Sequence, residues 1–125
     1  MKNYKEAITS IIKELGIPAG LNGYHYIRYA IELVMHDISL INSITTALYP
    51  AVAQEFNTTP ARAERCIRHA IETGWFRANE DFAMQLFGYS VSADKGKPTN
   101  REFIATVADY ILMMQPRTTE KGGAK

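Results

Sequence analysis

Between Thr58 and Phe76 the chain reads TTPARAERCIRHAIETGWF. Arg62, Arg65 and Arg68 recur there at three-residue spacing, with Glu64, His69 and Glu72 among them. On a helix turning roughly 100° per residue, Arg65 falls almost opposite the centre of an apolar stripe. That stripe is Ala63, Ile67, Ala70, Ile71, Gly74 and Trp75, one face at helical spacing. Arg62 and His69 flank Arg65 on one side and Arg68 on the other. A guanidinium offers two parallel N–H donors that match O6 and N7 of guanine in the major groove. Glu64, near the helix start, can accept from the N4 amino group of cytosine. A solvated helix face looks the same, and the pattern alone leaves both readings open.

No catalytic constellation competes with this helix. The histidines are His25, His36 and His69, and none pairs with another ligand type at zinc-site spacing. Cys66 and His69 are one turn apart, yet two ligands make no metal site. No nucleophile elbow, P-loop or dinucleotide fingerprint occurs. Glu80-Asp81 reads as solvation of a short helix. The expectation is a non-enzyme without metal or cofactor.

Local signals define the elements that hold the arginine helix. Pro60 suits a first helical position and Thr59 the N-cap before it. Pro50 to Phe56 (PAVAQEF) forms a shorter helix upstream, and Asn57-Thr58-Thr59 joins the two. A short helix, a tight turn and a longer basic helix is the helix-turn-helix pattern, whose second helix reads bases with its first turns. Asn3 to Leu15 reads as a helix stopped by Gly16 and Pro18. Ala19 to Gly23 reads as a loop, and Tyr24 to Asp37 as the second helix. The tyrosines of that helix suit packing, or stacking on a single strand. Ser39 to Leu48 forms a third helical piece, broken at Tyr49-Pro50. Glu80 to Phe87 is short and amphipathic, closed by Gly88. Tyr89 to Pro98 is a non-helical excursion carrying Lys95 and Lys97. Thr99 and Glu102 match a capping box for a last helix ending near Met114. The fold class is all-α, with about six helices containing a helix-turn-helix and no winged-helix sheet. One domain spans residues 1–115, and the polar stretch Pro116 to Lys125 reads as a disordered tail.

Composition narrows the setting. The 125 residues are 46% hydrophobic with a net charge of +1. A core is affordable, whereas any nucleic-acid footprint must be local. The single cysteine, Cys66, excludes an internal disulfide and reads as a buried thiol in a reducing, cytoplasmic setting. No membrane-spanning run or signal peptide is visible.

Several runs together resemble the C-terminal DNA-binding effector domain of the response regulator that initiates sporulation in endospore-forming bacteria. They are SITTALYP (Ser43 to Pro50), FNTT (Phe56 to Thr59), ERCIRHAIE (Glu64 to Glu72), LFGYSVS (Leu86 to Ser92) and KPTNREFIATVAD (Lys97 to Asp109). The start, ITSIIKELGIPA followed by GYHYIRYAI, fits too. The resemblance implies a six-helix domain that binds a box in promoter DNA, two copies in tandem, and touches a sigma factor of RNA polymerase. It implies base reading by Arg62, Glu64, Arg65 and Arg68, and backbone contacts from Thr59, His69, Lys95 and Lys97. It places the sigma-contacting segment at Trp75 to Tyr89, with Phe76, Glu80, Phe82 and Phe87 as candidates. Pro60-Ala61 departs from the Ala-Ser-like pair typical of the family. Ala63 is smaller than the branched residue expected, and the sigma segment is more aromatic. The family usually carries a phosphorylatable receiver domain in front and these 125 residues hold none, as expected either of an excised domain or of a natural stand-alone version. The alternative is a protein-interaction module of the same fold, a decoy that pairs with a regulator or a sigma factor.

Overall fold

The computed structural model describes residues 3–88 and 96–114. The expected lysine-bearing loop, apart from Gly96, Lys97 and Pro98, and the expected tail beyond Met114 lie outside the described residues. Six α-helices follow in order: α1 (Lys5–Glu14), α2 (Asn22–His36), α3 (Tyr49–Phe56), α4 (Pro60–Trp75), α5 (Glu80–Phe87) and α6 (Asn100–Met114). Among the described residues there is no strand. The all-α expectation therefore holds.

Two sequence expectations shift. Ser39 to Leu48 is not one α-helix but a 3-10 segment (Ile38–Ser43) followed by a π-helical turn (Ile44–Leu48) that runs into α3. Asp37 starts the 3-10 segment by accepting from the Ser39 amide at 3.2 Å and its hydroxyl at 2.6 Å. Wide i→i+5 turns let the chain enter α3 without the break expected at Tyr49-Pro50, and that pair opens α3, as its role at the start of the next helix anticipates. Gly23, expected in a loop, lies buried inside α2. A Cβ there would stand 2.1 Å from the Cys66 carbonyl oxygen and 2.7 Å from the Ala70 Cβ. The absence of a side chain brings the start of α2 directly against α4.

The central helix is α2, which packs on α1, α3, α4 and α6. Ile27, Ala30, Ile31 and Val34 form its fully buried stripe. They meet Ile8 and Ile12 of α1, Ile67 and Ile71 of α4, and Phe103, Ile104 and Val107 of α6 in one core. The tyrosines of α2 serve packing: Tyr24 and Tyr26 are buried, and Tyr26 and Tyr29 lie against the Phe56 ring at 4.9 and 5.8 Å. The C-terminus of α1 docks on that of α4 through facing glycines. Gly16 has φ +85°, and a Cβ on it would lie 2.4 Å from the Gly74 carbonyl. These contacts hold α4 along its whole apolar back.

Candidate nucleic-acid interface

The α3–α4 connection is fixed by its own hydrogen bonds. Asn57 takes the left-handed conformation, φ 56° and ψ 52°, one of the few non-glycine residues that does so at low cost. The Thr58 amide then donates to the Ala53 carbonyl at 2.9 Å, closing the end of α3. Thr59 caps α4 by accepting from the Arg62 amide at 3.1 Å, and Pro60 occupies the first turn. Ala63, Ile67, Ala70, Ile71 and Gly74 are buried, matching the apolar stripe read from spacing.

The opposite face of α4 is open. Arg62, Arg65, Arg68 and His69 are all exposed. Arg62 and Arg65 have no ion-pair partner among the described residues. Arg68 does: its Nε and Nη2 donate to the two Glu64 carboxylate oxygens at 3.0 and 3.3 Å. That contact raises the guanidinium pKa further above its usual range. Lys97 Nζ lies 3.5 Å from a Glu72 carboxylate oxygen, so this candidate backbone contact abuts α4 itself. Thr59 is exposed, its hydroxyl oxygen occupied as the cap. Lys95 lies outside the described residues.

Two clefts border this face. One, of about 440 Å³, runs between Arg65 and His69 of α4 and Asn22 and Gly23 of α2. Cys66 lines it and is half-buried rather than fully enclosed. The other, of about 340 Å³, lies between Glu64, Arg68 and Glu72 of α4 and the segment Lys97 to Arg101. At its floor Asn100 donates to the Tyr49 hydroxyl at 2.9 Å and to the Glu64 carbonyl at 3.2 Å. Burial pushes the Tyr49 phenol above its ordinary value of 10.0. The Asn100 hydrogen bond pulls it down, Glu64 pushes it up and Arg68 pulls it down. Neither Asn100 nor Tyr49 stood out in the sequence as a site residue. Asn100 is concealed inside a capping-box signature that the structure bears out, with Thr99 accepting from the Glu102 amide and Glu102 accepting from the Thr99 amide.

The segment expected to meet a sigma factor divides by burial. Phe76 is 80% exposed and Glu80 is exposed. Phe82 is half-buried against Tyr110, ring centroids 6.1 Å apart. Phe87 is interior, stacked edge-on with Trp75 at 5.1 Å and tilted on Phe103 at 5.9 Å. Its place is therefore in the core that joins α4, α5 and α6, because an enclosed ring presents no surface to a partner.

Among the described residues no group of three or more His, Cys, Asp or Glu is placed to hold a metal ion. No helix there is long and apolar enough to cross a membrane. The family model described as sporulation initiation factor Spo0A C terminal matches residues 8–111, the span that contains all six helices apart from the first turn of α1 and the last of α6. That family comprises DNA-binding effector domains of sporulation regulators rather than enzymes, and this chain belongs to it.

Proposed function

We propose that this chain is a sequence-specific, double-stranded DNA-binding transcription regulator acting in the cytoplasm at the nucleoid. In this reading α3 and α4 form a helix-turn-helix, and the first turns of α4 enter the major groove. Arg62, Glu64, Arg65 and Arg68 read base edges, and Thr59, His69, Lys95 and Lys97 hold phosphates. The observation that carries it is the pairing of a fully buried back on α4 with an exposed front on which Arg62 and Arg65 have no ion-pair partner among the described residues. Two copies side by side on tandem boxes, and contact of Phe76, Glu80 and Phe82 with a sigma factor, extend the same reading.

The test is fluorescence anisotropy with a labelled duplex carrying two tandem promoter boxes of the family, against a scrambled duplex, across a salt series. A preference of about 100-fold or more with a steep salt slope is expected. Arg65→Ala should cost about 1–3 kcal/mol on the boxes and far less on the scrambled duplex. Equal loss on both would reduce Arg65 to a phosphate contact. A second reading, a protein-interaction module of the same fold, draws on the net charge of +1 and on the exposed Phe76 and Met84. Equal weak binding to both duplexes, with flow-through on heparin at low salt, would favour it.

A further inference from the structure

We infer that Asn100 is a positioning residue for base reading, setting the roll of α4 through the carbonyl of Glu64. The inference rests on the DNA-reading function proposed above. Asn100 is the one polar side chain buried among the described residues, 8% exposed. It stands at the first position of α6, where polar residues ordinarily face water. Its side-chain amide uses both hydrogens, one on the Tyr49 hydroxyl that opens α3 and one on the Glu64 carbonyl within α4. One side chain thus sets the spacing of three helices.

The choice of acceptor matters. In the helical ladder the Glu64 carbonyl takes the Arg68 amide hydrogen, and Asn100 occupies its other lone pair. The hydrogen bond therefore grips the turn that carries Glu64, Arg65 and Arg68. Arg101 ties the start of α6 to Asn42 of the 3-10 segment at 3.3 Å. The grip on the Glu64 turn, added to the buried back of α4, restrains rolling about the helix axis. Bidentate base contacts need that restraint, since a binding constellation tolerates roughly 0.5 Å and 10–20° of error. Loss of Asn100 leaves the Glu64 carbonyl paired within α4, so discrimination should suffer more than folding.

The test measures the ratio of scrambled-duplex to tandem-box dissociation constants for the full chain, for Asn100→Ala and for Tyr49→Phe, with thermal melts of each. Asn100→Ala should lower the ratio by about tenfold, within the range by which residues outside a ligand contact modulate coupling, while scrambled-duplex affinity stays within about twofold. Tyr49→Phe keeps the ring in its core position and removes the hydroxyl, and should lower the ratio by about threefold. A role in packing alone would depress the melting temperature and leave the ratio of the folded variants at the wild-type value, which would overturn the inference. Should Asn100→Ala fail to fold, Tyr49→Phe decides: an unchanged ratio refutes the positioning role. The wild-type arm separates the two claims, because absence of box preference there would overturn the DNA reading itself and the inference with it.

Discussion

The proposed base-reading role of Glu64 competes with its observed contact to Arg68 for the same oxygens. In the free protein both carboxylate oxygens accept from the Arg68 guanidinium. In the proposed complex one of them accepts from cytosine, and Arg68 turns to a base or a phosphate. Glu64→Ala separates the roles. The pair is partly exposed, 49% for Arg68 and 35% for Glu64, and spaced i,i+4. Such pairs contribute little, and alanine is the better helix former, so the melting temperature should move by less than about 2 °C. Binding should change far more, and in opposite directions on two duplexes. On scrambled DNA the variant carries one negative charge fewer, +1 becoming +2, and a released Arg68. One extra phosphate contact steepens the salt slope by about 0.9, equivalent to up to about eightfold tighter binding at 0.1 M salt. On the cognate box a lost base contact weakens discrimination by roughly ten- to a hundredfold. Anisotropy on both duplexes at four salt concentrations resolves these effects. A parallel rise on both duplexes would refute the base-reading role and leave Glu64 only as a restraint on Arg68.

Other consequences are as specific. Phe87→Ala should destabilise the domain by about 3–5 kcal/mol in denaturant melts, since the ring is buried between Trp75 and Phe103. Phe76→Ser should leave stability within about 0.5 kcal/mol and lower activation by polymerase in a reconstituted transcription assay, if that surface meets a sigma factor. Gly23→Ala would force a methyl group onto the Cys66 carbonyl, and should cost at least about 1–3 kcal/mol and weaken box binding as α2 and α4 separate. An unchanged melt would show that α2 can withdraw freely. Tyr49 and Tyr29 both hold their phenolic protons more tightly than the ordinary value of 10.0. Burial is the first cause for each, joined for Tyr29 by Glu55 and Glu32. The folded pKa values lie above the unfolded ones, so this contribution is complete below about pH 10 and is lost as pH rises through the folded values. Phenolate absorbance should show a late-titrating contribution from Tyr49 and Tyr29, and Tyr49→Phe should remove its share of that contribution and of the alkaline loss.

What could be read from the chain was whatever local chemistry determines. The α4 stripe, the Thr59 and Thr99 caps and the stops at Gly16 and Gly88 each depend on a few neighbouring residues, and the structure places them where spacing put them. The π-helical turn before α3 was not legible, because Ile44 to Leu48 has ordinary helical periodicity, and the widened turn runs straight into α3 with Leu48 in the common core. Gly23 reads locally as a turn residue, and only the approach of Cys66 from 43 positions later gives it a place inside a helix. Asn100 was concealed for the same reason: its partners, Tyr49 and Glu64, are 51 and 36 residues away. Phe76 and Phe87 are the same residue type in one segment, and tertiary packing alone puts one outside and the other inside.

A net charge of +1 suits a DNA-binding protein poorly until the pairing of its charges is considered. Among the described residues Arg62 and Arg65 stand without ion-pair partners, whereas Arg68 and Lys97 lie against Glu64 and Glu72 of α4. On an arbitrary sequence, exchanging those carboxylates for phosphates gains little, because Glu64 is left facing an anionic groove with nothing to accept from. On a site with guanine opposite Arg68 and a suitably placed cytosine opposite Glu64, both members of the pair find new partners at once. In the proposed reading the pair would then penalise wrong DNA more than it rewards right DNA, a route to discrimination with a small number of charges. Asn100 belongs to the same proposed logic: the exchange requires α4 to present Glu64, Arg65 and Arg68 at a fixed roll, and the hydrogen bond to the carbonyl of Glu64 adds a restraint there to the packing of the buried back.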